Sequence, residues 1–157
     1  MNLWIAALLT LLIVPAVAQP HQHGHGPYAG MQQRPVKALS EQEIADLRAG
    51  KGMGLALAAE LNGYPGPIHV LELGDKLHLS APQRERLQQL YEAMKAEAIA
   101  AGEKLIESEI ALDREFAAQK MTPARLALLT AQIGEQQGAL RAVHLKYHQI
   151  ADSSCLR

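Results

Sequence analysis

The sequence predicts an all-α protein with short N-terminal helices followed by a long antiparallel helical hairpin. No segment alternates polar and apolar residues with period two for long enough to form a sheet. Two stretches, about 81–120 and 123–150, instead carry apolar residues at alternating spacings of three and four, which is the pattern of a helix seam. The corner Met121-Thr122-Pro123 separates them. We therefore expect a hairpin over 81–150.

Each long helix has a seam that needs a partner. The seam of the second is apolar at seven of its eight positions: Leu126, Leu129, Ile133, Gln136, Leu140, Val143, Tyr147 and Ile150. The first helix offers Leu87, Tyr91, Met94, Ala98, Ala101, Leu105, Ser108 and Leu112. About forty helical residues span on the order of 60 Å, which is longer than a small domain requires. One face is left for a second copy, so we expect an intertwined homodimer.

Length and composition restrict the class of protein. The 157 residues suit one domain, and the 4% of aromatic residues suit slim helix pairs better than a thick core. The net charge of −1 shows no basic excess, so nucleic-acid binding is not expected. The chain has no glycine-rich phosphate loop, no serine nucleophile elbow and no cysteine with a positioned partner. We expect no enzymatic activity.

The first eighteen residues have the features of a secretory signal peptide. Residues 3–17 are almost continuously apolar, and Ala16-Val17-Ala18 offers the small-x-small pattern that signal peptidase reads. The stretch is short for a membrane span, although an uncleaved anchor is the alternative. We expect a periplasmic protein that contacts the membrane only if this segment is retained. The single cysteine, Cys155, excludes an internal disulfide and leaves a free tail thiol or an intermolecular bond.

Residues 19–38 are predicted to be disordered, because glutamine, histidine, glycine and proline dominate them. His21, His23 and His25 stand on alternate residues. In an extended chain three such imidazoles can converge on one metal ion. The alternative is a polar linker that happens to be rich in histidine.

Ordered structure is predicted from residue 39 onward. Ser40 and Glu43 form a capping box at the start of a first short helix that stops at Gly50. A second short helix is expected over Leu55–Leu61, with Asn62-Gly63 as its C-cap. A third is expected from Pro67 to about Leu77.

The segment Leu79-Ser80-Ala81-Pro82-Gln83 begins the first long helix. Ser80 and Gln83 form another capping box, and proline is tolerated in a first helical turn. Together with the signal peptide and the long hairpin, this Leu-Ser-x-x-Gln start resembles the Spy/CpxP family, also called the LTxxQ family. The resemblance covers roughly residues 40–150. It implies a non-enzymatic, all-helical periplasmic dimer, either a chaperone or a metal-responsive protein of the CnrX or ZraP type.

The most distinctive chemical pattern is His144-x-x-x-His148. Residues four apart lie on one face of a helix, at a spacing that lets two imidazoles bind one ion. Folding the hairpin at its corner places Met94 and Glu97 nearby, and such a set suits zinc, copper, nickel or cobalt. His69 and Glu72, one turn apart on the third short helix, could complete a site; the alternative for His69 is that it caps or packs. The alternative is a solvated pair of histidines on a helix flank.

Two functions follow from these features. The first is a metal-binding protein of heavy-metal sensing or resistance, with no required cofactor but a bound zinc, copper, nickel or cobalt ion. The second is an ATP-independent chaperone or envelope-stress adaptor that binds unfolded proteins. A membrane-bound regulator is a further partner that the sequence leaves open.

Overall fold

The computed structural model describes residue 26 and residues 28–153. A 3-10 helix, Met31–Gln33, is followed by three short helices: α1 (Glu41–Arg48), α2 (Leu57–Glu60) and α3 (Pro67–Glu72). Two long helices follow, α4 (Ala81–Ala117) and α5 (Pro123–Ala151). No strand occurs in these described residues. The prediction of an all-helical chain with two long packed helices is thus confirmed.

Two helix starts have the capping that was predicted, and Thr122 provides a third cap that was not. Ser40 and Glu43 satisfy each other's backbone donors at the start of α1. At the start of α4 the backbone N–H of Ser80 donates to the side chain of Gln83 at 2.9 Å. Thr122 caps α5 by accepting from the backbone N–H of Arg125 at 3.2 Å. Local sequence therefore sets where these helices begin.

The core lies along the interface of α4 and α5, on the predicted seams. Of the sixteen seam positions, only Leu126 is exposed. The buried side chains form two clusters along the helices. One contains Val70, Leu87, Leu90, Met94, Tyr147 and Ala151, and the other contains Leu47, Ala98, Leu105, Ile106, Ile133 and Leu140.

Ion pairs between α4 and α5 fix how the helices align. Arg125 lies 3.3 Å from Glu115 near the connection between the helices, and Lys146 lies 2.6 Å from Glu97 farther away. Both ion pairs therefore cross the interface of the two long helices.

A second buried stripe on α4 was not part of the predicted seam. Gly102 and Ile106 are buried there because α1 lies across them. The contact is close enough that a Cβ at Gly102 would lie 2.9 Å from the carbonyl oxygen of Leu47. At Gly50, which has φ +66°, a Cβ would lie 2.9 Å from the carbonyl oxygen of Lys95. Because glycine has no Cβ, the backbone at Gly102 and at Gly50 can come this close to the neighbouring carbonyl oxygen.

Several predicted boundaries were wrong. The helix α3 ends at Glu72 and not near Leu77, because the chain turns at a buried Gly74 and at His78, which has φ +52°. The helix α2 is confined to Leu57–Glu60, and α4 ends at Ala117 rather than near Lys120.

The segment predicted to be disordered differs in its second half. Besides the 3-10 helix, it contains Val36, which is 3% exposed. Apolar side chains of α1 and α4 line the same cavity as Val36. The buried side chain of this one valine therefore places the segment against α1 and α4. The signal-peptide prediction concerns residues 1–18, which lie outside the described residues. No helix of the described chain has the length and apolar character to cross a membrane.

Candidate metal centre

His144 and His148 are buried on α5, with exposed fractions of 2% and 4%. They lie beside the seam and face the short N-terminal helices, which cover them. Both line a cavity of about 360 Å³ together with residues of α2, α3 and α4. The pair is therefore an interior feature and not a solvated helix flank.

The orientation of His148 is held by the backbone between α2 and α3. Its Nδ1 lies 2.8 Å from the carbonyl oxygen of Tyr64. A carbonyl only accepts, so Nδ1 carries a proton, and in the neutral tautomer this leaves the lone pair on Nε2. A histidine that donates one ring N–H to a backbone carbonyl is typical of metal ligands, because the other nitrogen is then fixed as the ligand atom.

The segment before α3 approaches the ring of His148 closely. A Cβ at Gly66 would lie 2.8 Å from Nε2 of His148, which is too near for any other residue without displacement. Gly66 is itself buried, as is the following Pro67. The ring of His148 is thus held from the side as well as through Nδ1.

His144 contributes a buried nitrogen that nothing in the described chain satisfies. Its Nε2 has less than 1 Å² of exposed surface and no hydrogen-bond partner. Burial lowers the pKa of His144, and the neighbouring His148 lowers it further. The ring is therefore neutral near neutral pH, which is the form that binds metals. An unsatisfied buried nitrogen costs free energy unless a ligand or water completes it.

Two further donors come from the short helices. Oε1 of Glu60 lies 3.8 Å from Nε2 of His148 and 3.5 Å from Nε2 of His69. Metal–nitrogen bonds of 2.0–2.1 Å in a tetrahedral site place neighbouring ligand atoms roughly 3.3 Å apart. These donors are thus within a few tenths of an ångström of ligand spacing. The sequence suggested His69 as a candidate but gave no reason to select Glu60.

Methionine completes the lining of the cavity. Met94 is 6% exposed and lines it beside the two histidines, as the sequence predicted. Met53, from the loop after α1, lines it too and is 43% exposed. Thioether sulfur suits soft ions such as Cu(I), whereas imidazole suits zinc, nickel and cobalt.

The structure places Glu97 elsewhere. One of its carboxylate oxygens accepts from Lys146 at 2.6 Å and the other from the hydroxyl of Tyr147 at 2.7 Å. The hydrogen bond from Lys146 is the largest cause that lowers the pKa of Glu97. His148 stands one residue further around α5 and faces α2 and α3, so Glu97 does not line the cavity. The helical spacing predicted the level of Glu97 along α4 but not the side of the helix that it faces.

Glu72, which the sequence also offered as a ligand, is not brought to the cavity. Glu72 lies 3.4 Å from Nδ1 of His69 but does not line it. His21, His23 and His25 lie outside the described residues. Among the residues that are described, no three or more His, Cys, Asp or Glu side chains stand close enough to hold a metal ion as they are.

Comparisons of the chain with family models, with curated proteins and with solved structures found no match.

Proposed function

We propose that this protein is a non-enzymatic metal-binding protein of heavy-metal sensing or resistance. The observation that supports it is the buried Nε2 of His144, which has no hydrogen-bond partner in the described chain. The residue His144 lines a cavity that His148 also lines. Glu60, His69 and Met94 supply the additional donors. The ion is zinc, copper, nickel or cobalt, because imidazole with one carboxylate or thioether suits these metals.

Calorimetric titration of the mature protein with each of the four ions tests this proposal. We expect a dissociation constant of about micromolar or below for at least one of them. The double variant His144→Ala, His148→Ala should abolish that binding. Glu60→Gln and His69→Ala should each weaken it by about 10–100-fold.

A matched control is available in the same chain. His78 is exposed and does not line the cavity, and asparagine tolerates its positive φ. His78→Asn should bind metal as the wild type does. Wild-type affinity in the double variant would exclude this cavity as the metal site.

The proposal also covers location and assembly. The signal peptide would direct the protein to the periplasm, where the long helices form the hairpin of an intertwined homodimer that acts on a membrane-bound regulator. N-terminal sequencing of the exported protein should begin at Gln19, and sedimentation should give twice the mass of one chain. Retention of residues 1–18 would contradict the cleaved signal peptide. A monomer at all concentrations would contradict the homodimer.

A chaperone role is the second candidate, and a different surface supports it. Phe116, Leu126 and Leu128 lie near the connection of α4 and α5 with exposed fractions of 55%, 38% and 56%. Exposed apolar groups of this kind bind unfolded polypeptide. The protein, without metal, should suppress light scattering by a denatured test protein, and Phe116→Ser with Leu128→Ser should reduce the effect. Unchanged scattering at a molar excess of the wild type would exclude this role.

A further inference from the structure

Sulfur gives the cavity of His144 and His148 a second kind of donor. The described chain contains four methionines, and two of them, Met53 and Met94, line this cavity. Met94 on α4 is 6% exposed, so its side chain is buried beside the two imidazoles. Thioether sulfur is a ligand for the soft ion Cu(I). Zinc sites in proteins use cysteine, histidine and carboxylate ligands instead.

Met53 reaches the cavity from the loop that follows α1. The neighbouring Gly52 comes so close to His144 that a Cβ there would lie 3.8 Å from Nδ1 of the ring. Met53 itself has φ +45°, a left-handed conformation that costs residues other than glycine about 1–2 kcal/mol. The loop therefore passes beside the ring of His144 and carries a methionine where its backbone conformation favours glycine.

The charges around the cavity suit a monovalent ion. Among the described residues that line it, Glu60 alone carries a carboxylate. Lys51 also lines it, but its ammonium is paired with Asp46 at 2.8 Å. A buried ion is costly unless its charge is balanced. One carboxylate balances the single charge of Cu(I), whereas a divalent ion between neutral imidazoles would leave one positive charge in excess.

We infer that the metal centre is a Cu(I) site in which Met53 and Met94 are thioether ligands beside His144 and His148. This inference rests on the proposed metal-binding function and names its ion. The two imidazoles suit zinc, nickel and copper alike, so the thioethers are the ligands that select Cu(I). Glu60 balances the charge of the bound ion.

Competition with a coloured Cu(I) chelator, bicinchoninate, in the absence of oxygen tests the inference. Cys155 is the only cysteine of the chain, so a Cys155→Ser background leaves methionine as the only source of sulfur. In that background Met53→Leu and Met94→Leu should each lower the Cu(I) affinity by about tenfold, and the double variant by more. Calorimetry should show that zinc binds to these variants as it does to the background protein.

The variants are chosen to remain folded, and a control is available. Exchanging methionine for leucine in a core costs less than about 1.5 kcal/mol, so circular dichroism should show an unchanged helical content. Met121 does not line the cavity, so Met121→Leu is the matched control and should keep the Cu(I) affinity of the background. Copper X-ray absorption is a second measurement that needs no change of methionine, and it should show sulfur as well as nitrogen next to the ion.

Three results would overturn the inference. They are an unchanged Cu(I) affinity in the double methionine variant, an equal loss of zinc affinity in that variant, and a copper absorption spectrum without a sulfur neighbour. Zinc binding that depends on His144 and His148 would then leave the proposed function standing. If neither Cu(I) nor any divalent ion binds, the proposed function fails together with this inference.

Discussion

The carboxylate of Glu97 on α4 accepts a hydrogen bond from the hydroxyl of Tyr147 on α5 at 2.7 Å. Its other oxygen accepts from Lys146 at 2.6 Å, and the ammonium of Lys146 lies 4.6 Å from the centre of the Tyr147 ring. The ring of Tyr147 is buried, while Glu97 and Lys146 face solvent. This group therefore joins the two long helices at the edge of the core, beside the histidines.

Removing the hydroxyl of Tyr147 should weaken this joint. Tyr147→Phe keeps the buried ring and loses one hydrogen bond to a charged acceptor, so the free energy of unfolding should fall by about 1–2 kcal/mol. Urea unfolding followed by circular dichroism measures the change. Tyr91 is half-buried and its hydroxyl bonds to nothing in the described chain, so Tyr91→Phe is the control and should change stability little.

Two glycines of the long helices should respond oppositely to alanine. In Gly102→Ala the new methyl group would meet the carbonyl oxygen of Leu47 at 2.9 Å, so α1 must move away from α4. A loss of about 1–3 kcal/mol is expected. In Gly134→Ala the methyl group meets nothing within 4 Å, so helix propensity should raise stability by up to about 1 kcal/mol. Equal thermal midpoints for the two variants would contradict the described contact of α1 with α4.

Glu109 should make stability depend on pH. It is 8% exposed, and burial raises its pKa above the ordinary value. The folded protein therefore holds this proton more tightly than the unfolded chain does. Protonated Glu109 therefore contributes to the free energy of unfolding. This contribution is fully present below the unfolded pKa of about 4.3 and is lost as pH rises through the raised pKa of the folded state.

The neutral isostere isolates that contribution. Glu109→Gln should stabilise the protein near neutral pH by about 1 kcal/mol, because no buried charge remains. Near pH 4 the gain should shrink, since Glu109 is then protonated in both states. Urea midpoints at the two pH values measure it, and a gain that is independent of pH would argue against the burial of this charge.

Gly66 should matter through the ring of His148. In Gly66→Ala the methyl group would lie 2.8 Å from Nε2, so the ring must leave its position and metal binding should weaken. The backbone of Gly66, at φ −71° and ψ 156°, suits alanine, so the cost is steric alone. In a His148→Ala background the same change should cost far less stability. A double-mutant cycle measures this coupling, and a value near zero would contradict the close approach.

Local rules predicted much of the fold. The capping residues Ser40 and Ser80 begin helices as predicted, and the three-four spacing identified nearly the whole interface of α4 and α5. The end of α3 was not foreseen, because nothing in the local pattern shows that His78 adopts a left-handed conformation. The burial of Gly102 was missed for a similar reason, since it depends on where α1 lies.

The candidate site was predicted in part. The spacing of His144 and His148 placed both on one face of α5, and pairing along the hairpin placed Met94 at their height. Selecting Glu60 over Glu97 needed the path of the chain from α2 to α3, which no periodicity encodes. The proline and glycine residues around Tyr64 predicted a turn but did not predict that this turn contacts α5.

The hydrogen bond from His148 to Tyr64 joins residues 84 positions apart in the chain. Glu60 and His69 leave the ribosome early, and the two buried histidines follow only with the last helix. Contacts of such long separation form late, after the entropy of closing the intervening loop has been overcome. The cavity therefore has no local precursor. An ion held by all of these residues would report that α5 has packed against the segment between α2 and α3.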